Sequence, residues 1–192
     1  FSINTLKKSI KFSYPELPLA IVGIVSSSVD KILLTNIRGL ESLGIFNFGS
    51  RFIDLSRQLP DATRKSWNPF YFNAINSDKS DNKKLIVKRF EQLAFILSIP
   101  CILIVIFSEE MVLFLGNDKF LASMFIIPIY AFTYFIHLTD FISSNQITSS
   151  EKLIFQMPST ISNAISLIVF NIILIPRYGA IGVALSASLS FF

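Results

Sequence analysis

This chain has very few of the residues that build catalytic or metal centres. Its 192 residues include one cysteine, Cys101, and one histidine, His137. A disulfide framework, a CxxC pair, a thiolate metal site and a His-based metal site are therefore excluded from this segment. GxSxG, HExxH and glycine-rich Walker patterns are also missing, so nucleophilic, metal-dependent and nucleotide-driven chemistry lack their usual residues. The sequence favours a protein that is not an enzyme and that needs no cofactor.

Charge is scarce as well. Charged residues make up 16% of the chain and hydrophobic residues 52%, and the mean hydropathy is +0.58. Soluble globular chains carry about 25% charged residues, so this composition predicts a membrane protein. The net charge of +4 comes from basic residues that bunch between hydrophobic segments. That pattern indicates orientation in a membrane and argues against nucleic-acid binding.

A helix that crosses the hydrocarbon core, about 30 Å thick, needs about 20 mostly apolar residues. Five stretches meet this requirement and a sixth, shorter candidate follows them, which predicts an all-α, polytopic membrane protein with a six-helix lobe. They are residues 15–36, 40–62, 85–107, 120–145, 153–175 and 179–192. The last stretch carries no charge up to residue 192, so we expect it to be truncated and the chain to be a fragment.

The connections between these spans predict the orientation of the lobe. Residues 64–89 form the one long polar connection, and residues 108–120 predict a short interfacial helix. Pro60 and Pro176 predict helix ends. Lys and Arg residues near the span ends number 11 on one side and 4 on the other. Because cytoplasmic loops carry the excess, both ends of this segment are predicted to face the cytoplasm.

The second span carries a polar stripe. At 100° per residue, six polar side chains fall within an arc of about 120°. They are Asn47, Arg51, Asp54, Arg57, Gln58 and Asp61. A charge at the bilayer centre costs about 2.5 to 3.5 kcal/mol, so four charges on one face predict the lining of a wet cavity. The alternative is that Arg51 with Asp54, and Arg57 with Asp61, merely neutralise each other.

Polar residues in the other spans are weaker signals. In the fourth span His137 and Asp140 are spaced as i,i+3, which suits either a proton-carrying pair or a satisfied hydrogen bond near the cytoplasmic end. Asp30, in the first span, is either an end-of-helix residue at the outer surface or faces the same cavity as Arg51. Gly182, at the start of a series of small residues in the sixth span, predicts close helix packing.

Four stretches, taken in order, resemble one known family. They are SSSVDKILLTNIRGLESLGIFNFGSR (residues 26–51), WNPFYF (67–72), SEEMVLFLGNDKF (108–120) and NIILIPRYGAIGVALSASLS (171–190). Together they resemble the second half of the O-antigen and polysaccharide flippases of the multidrug/oligosaccharidyl-lipid/polysaccharide exporter superfamily. The resemblance covers nearly the whole chain.

The resemblance implies the last six helices of a twelve-helix, two-lobe transporter that works by alternating access, with a missing N-terminal six-helix lobe as its partner. The implied substrates are oligosaccharide units on a polyprenyl pyrophosphate carrier. They are flipped across the bacterial or archaeal cytoplasmic (inner) membrane during synthesis of lipopolysaccharide, O-antigen and other cell-envelope polysaccharides. Coupling to a proton or sodium gradient and contact with the polysaccharide polymerase machinery are further expectations. Arg51 then becomes a candidate for sugar or phosphate contact, and Asp30 for cavity lining.

Three other functions compete with this interpretation. A drug or metabolite exporter of the same superfamily fits the family stretches less well. A membrane-embedded enzyme of polysaccharide assembly needs a large outer loop with acidic or His catalytic residues, whereas the longest outer connection here has about twelve residues. A non-transporting scaffold is disfavoured by four charges within one span.

Overall fold

The computed structural model describes residues 14, 16–76, 81–149 and 156–191, and within these ranges the chain is helical, with no β-strand. This confirms the all-α class. The elements are α1 (residues 16–38), α2 (residues 40–76), α3 (Asp81–Ile106), α4 (Ser108–Leu115), a 3₁₀ helix (Asp118–Phe125), α5 (Ile126–Ser149), α6 (Gln156–Tyr178) and α7 (Ala180–Leu189). Several residues used in the predictions lie outside the described part. They are Lys7, Lys8, Lys11, Lys79 and Lys152, with span residues 15, 153–155 and 192.

Four helical stretches of the described chain are long and apolar enough to cross a membrane. They are Ala20–Ile75, Asn82–Ile106, Asp118–Ile136 and Met157–Tyr178. The apolar helix α7 has 10 residues. These helices fit a multi-pass membrane protein in length and composition. The first stretch has 56 residues, far more than the roughly 20 that one crossing needs.

A single glycine divides that first stretch. Residues Glu16–Asn76 are helical except at Gly39, where φ is 82° and ψ is 175°. Glycine reaches positive φ without the steric penalty that a Cβ imposes. Nothing lies within 4 Å of where a Cβ on Gly39 would stand, so the backbone conformation is the constraint. The break falls between the first and second predicted spans.

The predicted polar connection over residues 64–89 is helical throughout its described part. Helix α2 continues to Asn76 and α3 begins at Asp81. Trp67 and Tyr71 pack on Ile86 in an aromatic cluster, which gives this polar stretch the apolar contacts that extend both helices. The prediction that Pro60 marks a helix end is wrong, because α2 keeps helical dihedral angles on both sides of this proline.

Helices α2 to α5 supply one compact unit, Gly44–Asn145. Phe48 stacks on Phe120 with ring centroids 4.7 Å apart, and Phe46 meets Tyr130 at 6.0 Å. A Cβ on Gly49 would lie 3.2 Å from the Ser123 carbonyl oxygen, so only a glycine permits this approach without a shift. The short helix predicted over residues 108–120 is present as α4 and the start of the 3₁₀ helix.

Helices α1, α6 and α7 belong to the other unit, Phe1–Leu43 with Gln146–Phe192. Helices α6 and α7 form a tight hairpin that turns at Gly179, where φ is 57°. A Cβ on Gly182 would lie 2.5 Å from the Leu174 carbonyl oxygen, well inside van der Waals contact. The Asn163 side chain also donates a hydrogen bond of 2.9 Å to the Ser190 carbonyl. This confirms the close packing predicted at Gly182.

Candidate functional site

One polar surface runs along most of α2. Its residues recur at steps of four and three, so they stay on one side of the helix within an arc of about 100°. This polar seam consists of Asn47, Arg51, Asp54, Gln58, Asp61, Lys65 and Asn68. It extends over 21 helical steps, or about 31 Å at 1.5 Å per residue. Lys65 and Asn68 were not among the predicted site residues, because the predicted span ended at residue 62.

A different side of α2 from the seam makes the contacts that pack this helix. A buried face packs the helix into its unit and includes Phe46, Phe52, Ile53, Pro60 and Trp67. The seam lies away from that face. Five of its members, from Arg51 to Lys65, are exposed, and the asparagines at its two ends are half-buried. Leu55 and Leu59, outside both the seam and the buried face, are 59% and 44% exposed and form a separate apolar strip.

The ion pairing on α2 differs from the predicted alternative. Arg57 Nη1 lies 3.8 Å from Asp54 Oδ1, so Asp54 pairs towards the C-terminal end of the helix rather than with Arg51. Both side chains stay about half exposed, and such exposed pairs contribute about 0 to 1 kcal/mol. Within the described residues Arg51 forms no ion pair. Its guanidinium is therefore open to a partner from outside this unit of the chain.

Asp30 lies in α1 among buried residues. The Asn171 side-chain amide of α6 donates a hydrogen bond of 2.6 Å to the Asp30 carboxylate. The amide oxygen of Asn171, Oδ1, is buried and has no hydrogen-bond partner in the part of the chain described. Both side chains are almost fully shielded. In the sequence, Asn171 stands out only within the stretch that carries the family resemblance. An amide inside the apolar run of α6 is nevertheless a signal that could have indicated a buried polar contact.

Arg38 ends α1 and caps α6. Its guanidinium donates to the carbonyl oxygens of Ile175, Pro176 and Arg177, in the last turn of α6. The Ile175 carbonyl also accepts a hydrogen bond from the Gly179 N–H, whereas the last carbonyls of a helix have no partner further along it. A cation there is favourable because the helix dipole is negative at its C-terminus. In the sequence, Arg38 is only one of the basic residues that predict orientation. A contact across 137 residues of sequence leaves no local pattern that would predict it.

His137 and Asp140 lie on α5, but their side chains are outside the described residues. No group of three or more His, Cys, Asp or Glu side chains that could hold a metal ion occurs within the described part. Cys101 is buried, with Sγ 3.9 Å from the Ala131 carbonyl oxygen. Its surroundings are those of a packed core thiol.

A second surface feature lies between α2 and α3, beside the aromatic cluster of Trp67, Tyr71 and Ile86. It is an open groove of about 460 Å³ with an apolar wall and a polar rim. The apolar wall of this α2–α3 groove consists of Trp67, Phe70, Leu93 and Ile96, and its polar rim includes Arg89 and Gln92. Two hydroxyl residues, Thr63 and Ser66, complete it on the α2 side.

No protein-family model, curated protein or solved structure matches this chain. What the chain does is therefore inferred from its own residues. Three of the seven predicted site residues, Asn47, Arg51 and Asp54, are members of the seam on α2, and a fourth, Arg57, pairs with Asp54. Asp30 lies in the other compact unit.

Proposed function

We propose that this chain is part of a flippase that moves oligosaccharide units on a polyprenyl pyrophosphate carrier across the cytoplasmic membrane of a bacterium or archaeon. The observation that carries the proposal is the polar seam on α2. The seam is about as long as the hydrocarbon core is thick, about 31 Å against about 30 Å. A polar surface of that length on a membrane helix suits the wall of a transport path.

The cost of charge in lipid supports this placement. Four seam members, Arg51, Asp54, Asp61 and Lys65, are charged and exposed. Against hydrocarbon, a charge near the bilayer centre costs about 2.5 to 3.5 kcal/mol. Leu55 and Leu59, exposed on another side of the same helix, carry no such cost and suit contact with lipid. The seam therefore faces water or another polar surface, and the apolar strip faces the membrane.

The chemistry of the seam suits a sugar head group. Hydroxyl groups both donate and accept hydrogen bonds, and the seam alternates donors such as Arg51 and Lys65 with acceptors such as Asp54 and Asp61. Each unpaired hydroxyl that enters hydrocarbon costs on the order of 1 kcal/mol or more, so a head of several sugars needs such a path. Arg51, which has no ion pair within the described residues, can also donate a charge-assisted hydrogen bond to a phosphate oxygen.

The architecture proposed with this function is a six-helix lobe that works with a second lobe of the same kind. The break at Gly39 lets α1 and α2 serve as two crossings, and α3, the 3₁₀ helix with α5, and α6 with α7 supply the others. A second lobe facing the seam would enclose the path, and rocking of the two lobes would expose it to each side in turn.

Cysteine labelling tests whether the seam faces water. In a Cys101→Ala background, single cysteines replace Asn47 and Gln58 on the seam and Leu55 and Leu59 on the apolar strip. A water-soluble, membrane-impermeant maleimide should label the seam positions in opened membrane vesicles and leave the strip positions unlabelled. Lipid-linked oligosaccharide should slow labelling at the seam. Equal labelling of both sets, or labelling of the strip alone, would refute the proposal.

A further inference from the structure

The α2–α3 groove faces away from the polar seam. Its α2 residues, from Thr63 to Phe70, lie on the side of the helix roughly opposite to the seam at 100° per residue. A substrate path along the seam therefore leaves the groove unused. The groove instead opens on the side that carries the packed aromatic cluster, where the surrounding bilayer is the nearest source of ligands.

The charge pattern of α3 places the groove at a membrane surface. The first eleven residues of α3 hold all of its charges, and the fifteen residues from Gln92 to Ile106 hold none. Arg89 lies just before this uncharged run, and Ile96, at the other end of the groove, lies about 10 Å further along the helix. The groove thus spans the boundary at which lipid head groups give way to acyl chains.

The same end of the helix pair is strongly basic. Over residues 64–76 and 81–91, six basic residues stand against two acidic ones. Arg89 itself forms no ion pair within the described residues, and its guanidinium donates a hydrogen bond of 3.4 Å to the Gln92 side chain. The rim therefore offers a cation without an ion-pair partner next to an apolar wall. That wall contains Trp67, and tryptophan is enriched at membrane interfaces.

From this combination we infer that the α2–α3 groove binds an anionic phospholipid of the surrounding bilayer. The phosphate of the head group contacts the Arg89 guanidinium, and one acyl chain lies against Trp67, Leu93 and Ile96. The positive charge of Arg89 in the groove selects lipids with a net negative head group over zwitterionic ones, whose ammonium group is repelled. The inference goes beyond the proposed transport function, and its test has no transport readout.

The chain contains its own probe for this site, because Trp67 is its only tryptophan. The protein is reconstituted into phosphatidylcholine and phosphatidylglycerol vesicles in which one or the other lipid carries brominated acyl chains, which quench nearby tryptophan fluorescence. At equal mole fraction, brominated phosphatidylglycerol should show a roughly fivefold preference at the groove, the ratio that corresponds to about 1 kcal/mol for one basic residue at an anionic surface.

Variants of the rim decide the assignment. Arg89→Gln should bring the preference close to one, and Arg89→Lys should keep most of it. Lys84→Gln, which removes an exposed cation from the same helix outside the groove, should leave it unchanged. An unaltered Trp67 emission spectrum in unbrominated vesicles checks that each variant is folded. Equal quenching by both lipids in the unmodified chain, an unchanged preference in Arg89→Gln, or quenching that depends only on protein density, as a second copy in the groove would produce, each overturns the inference.

Discussion

The Asn171 side chain donates a hydrogen bond of 2.6 Å to the Asp30 carboxylate, and this contact joins α6 to α1 at a point where both residues are buried. The two residues are 141 positions apart in the sequence. A carboxylate in such a place needs a hydrogen-bond donor, because an unpaired buried polar group loses its solvation without compensation. The pair thus stabilises the contact between α1 and α6 in the unit that contains α1, α6 and α7.

Replacing Asn171 by Leu should destabilise the protein. Hydrogen bonds between membrane helices contribute about 0.6 kcal/mol on average, and leaving the partner buried and unsatisfied adds a penalty that brings the loss to about 1 to 3 kcal/mol. Thermal unfolding of the purified protein in detergent should show a lower Tm. The double variant Asp30→Leu with Asn171→Leu should recover part of the loss. An unchanged Tm in the single variant would contradict the role of this bond.

Replacing Arg38 by Ala should loosen the end of α6. The carbonyls of Pro176 and Arg177 lose the Arg38 donor, while that of Ile175 keeps the Gly179 N–H. The loss of a cation at a helix C-terminus costs about 0.3 to 1 kcal/mol. Hydrogen exchange should become faster in the last turn of α6, and Arg38→Lys should restore protection in part. Arg177→Ala also removes a cation from this helix end but no hydrogen bond to these carbonyls, so the comparison separates the loss of charge from the loss of the donor.

Two glycines should respond in opposite ways to alanine. At Gly182 the added Cβ would lie 2.5 Å from the Leu174 carbonyl oxygen, which is backbone and cannot move aside, so Gly182→Ala should destabilise by about 1 to 3 kcal/mol. Around Gly23 nothing lies within 4 Å, so Gly23→Ala should be neutral or stabilise α1 by up to about 1 kcal/mol. Equal Tm changes in both variants would mean that the α6–α7 contact is not close.

Arg51 should be required for transport. Arg51→Ala is expected to abolish or strongly reduce polysaccharide at the cell surface in a flippase-deficient strain that carries the full-length protein, while the protein level in the membrane stays similar. Arg51→Lys should rescue in part, since the charge survives and the bidentate geometry does not. Lys84→Ala, an exposed cation outside the seam, is the control.

The partner of Asp54 sharpens this test. Because Asp54 pairs with Arg57, adding Asp54→Ala to Arg51→Ala should not restore transport. In contrast, Asp54→Ala with Arg57→Ala removes both members of a pair and should be milder than either single change. Rescue of Arg51→Ala by Asp54→Ala would show instead that Arg51 only balances that carboxylate.

The basic end of α2 and α3 should face the cytoplasm, because cytoplasmic loops hold the excess of Lys and Arg. In intact cells, an impermeant maleimide added from outside should label Asn117→Cys and leave Lys84→Cys unlabelled until the membrane is opened. Asn117 and Lys84 are both exposed, so accessibility within the chain does not limit either reaction. The reverse pattern would invert the orientation.

Much of the candidate site could be predicted from the sequence, because the information is local. Asn47, Arg51 and Asp54 share one side of α2 as a direct result of helical periodicity. The continuation of the seam to Lys65 and Asn68 was missed. A polar stretch that contains a proline, Pro69, is interpreted as a connection until the structure shows Trp67 and Tyr71 packed on Ile86.

The sequence by itself determined the helical class, the apolar stretches long enough to cross a membrane and the polar side of α2, since hydropathy and periodicity depend only on neighbouring residues. The tertiary structure decided what distant residues do to each other. It extended α2 to Asn76 and gave Asp30 to Asn171 and the end of α6 to Arg38. Such contacts depend on where separate helices meet in space, and no local pattern of residues encodes that.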